Sequence, residues 1–527
     1  MYHLHFMKKL LSIFLPFLLL CSLFSRAQAF FNIKDYGAKA DSQTLCTEAI
    51  KSAIDAAVKQ GGGTIFFPAG KYLTGPIHLK SNITLFIDAG AELHFSDNFD
   101  HYLPMVPTRY EGVDIVSFSP LIYAYEVENI AITGRGILDG HGKKWWAFVE
   151  GYKNDQPRSR WQLMFDSLNK GMLMPDDPKQ FVRGFLRPAF IQPMYCKNIL
   201  IQGVTIRNSP FWTVNPEFCD NVTVHAVTVL NPASMAPNTD GINPESCSNV
   251  RISDCYISVG DDCITIKSGK DAPGRKMNRP AENYSITNCT MLSGHGGVVI
   301  GSEMSGGVKN ITISNCIFDG TDRGIRLKTT RGRGAAIEDI RISNIVMKNI
   351  RDQAIVMDME YAKSTPEPVS ERTPRIRNIH INGITAYANE ACFLNGLAEM
   401  PVENITITDA QFYSKTGMRF RNVKGIELHN VRIEVENFMA LSIENGSDIN
   451  LQGLRMNGVP ESSPVVAIAN SEKIRIVQCS VARPKGTFVE LKGPKSAGIE
   501  LNGNWLGSGA RTFTVSEGAK PTAVIVK

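Results

Sequence analysis

The chain has 527 residues with 56 basic and 51 acidic side chains, and it is 43% apolar and 20% charged. That balance excludes disordered, collagenous and coiled-coil classes. The first 29 residues hold Lys8, Lys9 and Arg26 and no acid, so the remainder is close to neutral. It therefore has no bulk electrostatic reason to bind nucleic acid or an anionic membrane.

Met7-Lys8-Lys9 leads into an apolar run from Leu10 to Phe24, and Ala27-Gln28-Ala29 closes it. A basic start, a short apolar stretch and an A-x-A site are the layout of a secretory signal peptide. Cleavage after Ala29 and export to the periplasm or the exterior are expected. The run is shorter than the ~20 residues of a spanning helix and contains Pro16, so no membrane span is expected. Residues 30–527 are read as a single domain.

The next element predicted is a helix over 45–60, where Ile50, Ile54 and Val58 fall at helical spacing and Gly61-Gly62-Gly63 ends the run. From Asn82 onward a motif recurs: Asn or Asp, a β-branched residue, any residue, then an aliphatic one. Copies begin at Asn82, Asn129, Asn198, Asn221, Asn249, Asn283, Asn310, Asp339, Asn378 and Asn404, with looser ones at Gly425, Asp448 and Lys473. Each is a short alternating strand with a second one behind it. Strands repeating at roughly 20–30 residues, without the leucine pattern of leucine-rich repeats, predict an all-β parallel β-helix. Asn suits its turns because it tolerates left-handed backbone. A solenoid's ends need cover, which the 45–60 helix would supply at the first end, and with both ends covered a monomer is expected.

The gap from Asn129 to Asn198 holds an insertion at about 140–187, with Trp145, Trp146, Tyr152 and Trp161, expected to project beside the solenoid as a loop lobe. Ten cysteines follow the leader. Cys196, Cys219 and Cys247 hold equivalent places in successive copies, as do Cys255, Cys289 and Cys316, which reads as buried ladders of small apolar side chains rather than five bridges.

Four polar clusters fall in consecutive coils: Asn238-Thr239-Asp240, Gly260-Asp261-Asp262, Gly294-His295-Gly296 and Arg326-Leu327-Lys328. Asp240 and Asp261 are one coil apart and would stack about 4.8 Å from each other. Asp261 and Asp262 reach the same side only if Gly260 allows a bend. Carboxylates this close repel, so one of them should keep a proton above its ordinary range, as glycoside hydrolysis needs. Arg326 and Lys328 share a strand face and suit an anionic substrate. Duller readings stand beside these: turn-forming aspartates, a Ca²⁺-binding trio, a structural His295, and a solvated charge run, which is preferred for Arg331 and Arg333.

The four motifs in this order resemble the polygalacturonases, glycoside hydrolase family 28, over roughly residues 31–480; Leu327 stands where the family has isoleucine and would face away from the site. The resemblance implies a right-handed parallel β-helix that inverts the anomeric configuration on cleaving α-galacturonosidic bonds; with the stripe of carboxylates, histidine and cations, no metal or organic cofactor is expected. It implies Asp261 as the general acid, Asp240 and Asp262 holding the water, and His295 supporting acid and substrate. Arg326, Lys328, Asn238 and Tyr361 would bind substrate. Exo action is preferred, with the insertion and Lys267–Pro280 walling one end of the cleft. Hydrolases of rhamnose- or xylose-bearing pectin, a Ca²⁺-dependent pectate lyase and a non-catalytic carbohydrate-binding solenoid are the rivals.

Overall fold

The computed structural model describes residues 30–152, 159–172, 186–481 and 485–527; the leader and part of the 140–187 insertion lie outside them. Each repeat begins with one residue in left-handed backbone: φ is 64° at Asn82, 58° at Asn198 and Asn221, and 57° at Asn249. An ordinary residue pays ~1–2 kcal/mol there, and asparagine offsets part of it by hydrogen bonding. Its amide also reaches along the stack. Asn129 Nδ2 donates to Asn82 Oδ1, Asn198 to Asn129 and Asn221 to Asn198, each at 2.8 Å.

The residues after each turn form strands that pair in parallel with the coil before and the coil after. Ile199 registers on Val222, Val222 on Val250, Val250 on Tyr284, Tyr284 on Ile311 and Ile311 on Ile340. All of these are buried, so the core is a continuous ladder of β-branched and aromatic side chains. A second face carries Leu93, Leu138, Ile206, Val229 and Ile257 in the same manner. The third face thins to single bridges at Val214 and Ile242, where Pro216 and Pro244 lack the N–H a ladder needs. It resumes with Ile264–Ile266, Val298–Ile300 and Ile325–Lys328. The result is a right-handed parallel β-helix, the hand a parallel crossover of twisted strands favours.

Helix α1, Thr47–Lys59, covers the first coil. It buries Ile50, Ala53, Ile54 and Ala57, whereas Val58, expected on the inner face, is 43% exposed. Two alanines let the helix lie close to the strands and turn Val58 outward. Gly61, at φ 88°, ends it, and the Gly62 N–H returns to Ala57 O at 3.0 Å. At the other end the last strand, Val524–Val526, leaves Ile525 and Val526 51% and 55% exposed. The expected cover is seen at the first end, in helix α1.

The insertion is not a loop lobe in its described part. Helices α2, Lys143–Tyr152, and α3, Arg160–Leu168, carry it. Trp145 is fully buried against Phe99, ring centroids 4.1 Å apart, and against Tyr102 and Phe118. Trp146 Nε1 donates to Ser209 O at 3.0 Å. Burying two indoles is worth more than exposing them, so this segment packs onto the body rather than projecting. All ten described cysteines are buried free thiols, as the ladder reading expects.

Candidate active site

Three of the polar clusters lie in the turns and bends that feed the third face, and Arg326-Leu327-Lys328 lies on its strand Ile325–Lys328. Gly241 N–H donates to Asp262 O and Cys263 N–H to Gly296 O, while His295 N–H donates to Asp261 O. Asp240, Asp262 and Gly296 therefore occupy successive rungs, with Asp261 over His295. Asp240 stacks on Asp262, not on Asp261 as residue spacing suggests, because this coil is one residue longer than that spacing. Asp261 and Asp262 lie in a bend outside any strand, so both reach the same cleft. A Cβ on Gly260 would sit 2.2 Å from Ala236 O, which is why this close crossing of two loops uses glycine.

The cleft has a volume of about 710 Å³, and all eight residues singled out from the sequence line it. One oxygen from each of Asp240, Asp261 and Asp262 lies within 4.8 Å of the others. Asp240 is 2% exposed, and its Oδ2 accepts from Asn243 Nδ2 at 3.1 Å and Thr265 Oγ1 at 3.2 Å. Asp262 is 1% exposed; Lys328 Nζ donates to its Oδ2 at 2.8 Å. Its Oδ1 lies 3.5 Å from Arg326 Nη1 and, among the described residues, accepts no hydrogen bond. Asp261 is the most accessible of the three, and its Oδ1 meets His295 Nδ1 at 3.0 Å.

Burial, then the neighbouring Asp261 charge, pushes the Asp240 carboxyl well above its ordinary range, against the pull of Lys267. Burial also pushes Asp261 up, but the His295 hydrogen bond and charge, with Lys328 and Lys267, outweigh it and hold Asp261 low. His295 is raised by its bond to Asp261, against burial. Of the trio, Asp240 is thus the carboxyl whose hold on a proton is raised, and Asp261 the one held low.

Arg326 and Lys328 share one face, with Leu327 in the core. The Tyr361 ring stands 5.6 Å from the Arg326 guanidinium and 5.3 Å from Lys328 Nζ. Asn238 Oδ1 accepts from Arg187 Nη2 at 2.8 Å. The Ca²⁺ reading of the trio fits poorly: Lys328 sits on Asp262 and Lys267 Nζ is 3.8 Å from Asp240 Oδ2, so ammonium groups already supply the positive charge.

The sequence reading missed Lys267 and Glu303 as members of the site. They pair at 2.8 Å, both line the cleft, and Lys267 Nζ lies 4.4 Å from the centre of the Trp212 ring. Lys267 directly follows the short strand Ile264–Ile266 that leaves Asp262, a signal hidden where the sequence reads 267–280 as wall. Arg331 and Arg333 are not a solvated run. Each is 7% exposed, Arg331 pairs with Glu399, and Arg333 binds Asp271 and Ser302 O and lines the cleft. Acids brought from 271 and 399 buried them, and local sequence carries no trace of that.

A sequence profile of Glycosyl hydrolases family 28 matches residues 179–418, and one described as Rhamnogalacturonase A/epimerase, pectate lyase-like, matches 30–148. A probable polygalacturonase of Vitis vinifera is 32% identical over 411 residues, 75% of this chain and 77% of that protein. The chain belongs to glycosyl hydrolases family 28. It is accordingly a glycoside hydrolase. Among family 28 relatives, an endo-polygalacturonase of Pectobacterium carotovorum subsp. carotovorum is 32% identical over 73% of this chain and 88% of its own. A solved exopolygalacturonase from Thermotoga maritima superposes with a TM-score of 0.66 at 35% identity, covering 74% of this chain and 91% of that one.

Proposed function

We propose that the chain is an exported, exo-acting polygalacturonase that inverts the anomeric centre by direct attack of water. The observation that carries this reading is the single cleft in which three carboxylates, His295 and the Arg326–Lys328–Tyr361 group converge. Asp261, the accessible carboxyl, gives its proton to the glycosidic oxygen. Asp240 and Asp262, buried and tied to cations, hold the water and take its proton as the new C–O bond forms. Arg326 and Lys328 grip the galacturonate carboxylate; Lys328 has three donors and spends one on Asp262. That substrate anion offsets the cations that hold Asp261 low, which shifts the trio's proton toward Asp261.

The trio is tighter than the ~6.5–9.5 Å pair usual in inverting enzymes, so inversion rests on family resemblance and on how Asp240 and Asp262 are held. Exo action is supported by the wall at one side. Lys267–Pro280 contains helix α4, Asp271–Met277, pinned through Asp271 to Arg333. Glu111, at the tip of the hairpin Val106–Tyr110 with Val113–Ser117, reaches Lys270 at 3.3 Å. Export rests on residues 1–29, a monomer on the helix that covers the first coil, and the absence of nucleic-acid partners on the near-neutral charge.

Digestion of homogalacturonan, rhamnogalacturonan and xylogalacturonan tests the reading. Free galacturonate from the first minutes, released from homogalacturonan as the β-anomer by NMR, is the expected result. An early ladder of oligomers overturns exo action, an α-anomer overturns inversion, and an unsaturated product absorbing in the ultraviolet overturns hydrolysis.

A further inference from the structure

Outside the cleft, His94 and Asp139 sit in register on neighbouring rungs of the second face, with His141 two residues on. His94 Nδ1 and His141 Nε2 face each other at 2.9 Å, and His141 Nε2 is 3.9 Å from Asp139 Oδ1. One donor atom from each of the three lies within 4.8 Å of the other two. Asp139 is 5% exposed and fixed in place: Arg207 Nε donates to its Oδ2 at 2.7 Å, and Asn208 Nδ2 and the His141 N–H donate to its Oδ1 at 3.0 and 3.1 Å. The second ring nitrogen of His94, Nε2, is buried without a hydrogen-bond partner and lies 3.3 Å from Glu92 Oε2.

Two imidazoles that point nitrogens at each other either share one N–H proton or turn both lone pairs on a cation. Zinc takes nitrogen at ~2.0–2.1 Å, so tetrahedral ligands stand roughly 3.3 Å apart, only a few tenths beyond the 2.9 Å seen here. Two imidazoles and one carboxylate suit zinc better than calcium or magnesium, which prefer oxygen alone. A carboxylate behind a ligating histidine, as Glu92 stands behind His94, is the usual second partner that fixes the ring. With Arg207 offsetting one of the two carboxylate charges, the pocket keeps a net negative charge.

We propose that His94, His141 and Asp139 form a structural Zn²⁺ site, with water as the fourth ligand. His141 stands just before α2, whose Trp145 and Trp146 anchor the insertion. The ion would tie the root of that insertion to two rungs of the solenoid. None of these residues lines the catalytic cleft, so the site is independent of the hydrolytic reading.

The test uses the untagged mature chain, stripped with chelator and then titrated with Zn²⁺ and separately with Co²⁺. One ion per chain, a tetrahedral Co²⁺ absorption band and a higher melting temperature with Zn²⁺ are expected. His94→Ala and His141→Ala should each abolish binding, while Glu92→Gln, which retains all three ligands, should weaken it ~10–100-fold. Circular dichroism reports whether the alanine variants fold, and Asp139→Asn, which keeps an acceptor for Arg207, serves if they do not. A wild-type chain that takes up no ion at 100-fold excess overturns the proposal. So does binding that survives in Glu92→Gln and Asp139→Asn alike, or that is lost on Asp261→Asn instead.

Discussion

Replacing Lys328 by methionine probes how the site holds its charges. Lys328 Nζ donates to Asp262 Oδ2 at 2.8 Å, and the two side chains are 8% and 1% exposed. Methionine keeps much of the apolar stem and leaves Asp262 with Arg326 alone, 3.5 Å from its other oxygen. Breaking a buried pair from one side costs ~3–5 kcal/mol, because the remaining charge stays out of water. Arg326 puts this case near the lower figure. In a chain of this length about 3 kcal/mol lowers the melting temperature by only several degrees, since each kcal/mol shifts larger domains less. Activity should fall much further, because the same ammonium holds the proposed base and meets the substrate. Loss of a positioned acid–base group costs ~10²–10⁴ in rate, so kcat/KM on homogalacturonan should drop at least about 100-fold. Reducing-end release at 25 °C, alongside a thermal melt, measures both. A variant within tenfold of wild type in kcat/KM, with its melting temperature unmoved, would refute the reasoning.

Other perturbations follow from the same geometry. His295 is raised above 6.5 by its bond to Asp261, so its charged form favours the folded site; that contribution is complete below its unfolded value and is lost as pH rises through the folded one. The basic limb of kcat/KM should therefore lie above pH 6.5 and disappear in His295→Gln, as a pH–rate profile will report. Asn221, at φ 58°, should cost ~1–2 kcal/mol on change to alanine and less than half of that on change to glycine, read by urea unfolding. Trp145→Ala empties a fully buried indole site and should cost ~3–5 kcal/mol in the same assay. Chelator should leave the hydrolytic rate at 25 °C within twofold, since Lys267 and Lys328 already supply positive charge to Asp240 and Asp262.

Much of this architecture was legible because a solenoid repeats its own rules. The Asn-led motif specifies a turn and a strand in one unit, and stacked copies need no long-range information to register. The Asp, His, Arg and Lys clusters stood out for the same reason: they interrupt a pattern of turn formers. Legibility ended where partners are remote in sequence. Arg333 looks solvated until Asp271 is folded against it, and Lys267 acquires its role from Glu303, 36 residues on. Asp240 and Asp262 were offset by one because coil length varies and only backbone hydrogen bonds fix which residue stacks on which. The packing of the insertion is hidden for a different reason: Trp145 finds Phe99 and Phe118 on a neighbouring segment that no periodicity marks.

In the proposed mechanism Asp240, Asp261 and Asp262 act together on one sugar linkage, with Asp261 delivering the proton. Asp261→Asn, compared with wild type for both homogalacturonan hydrolysis and oligogalacturonide binding, tests it most directly. A fall in kcat of at least ~10³-fold with affinity held within a few-fold is the expected outcome. A folded variant that keeps a tenth or more of wild-type turnover would contradict the claim.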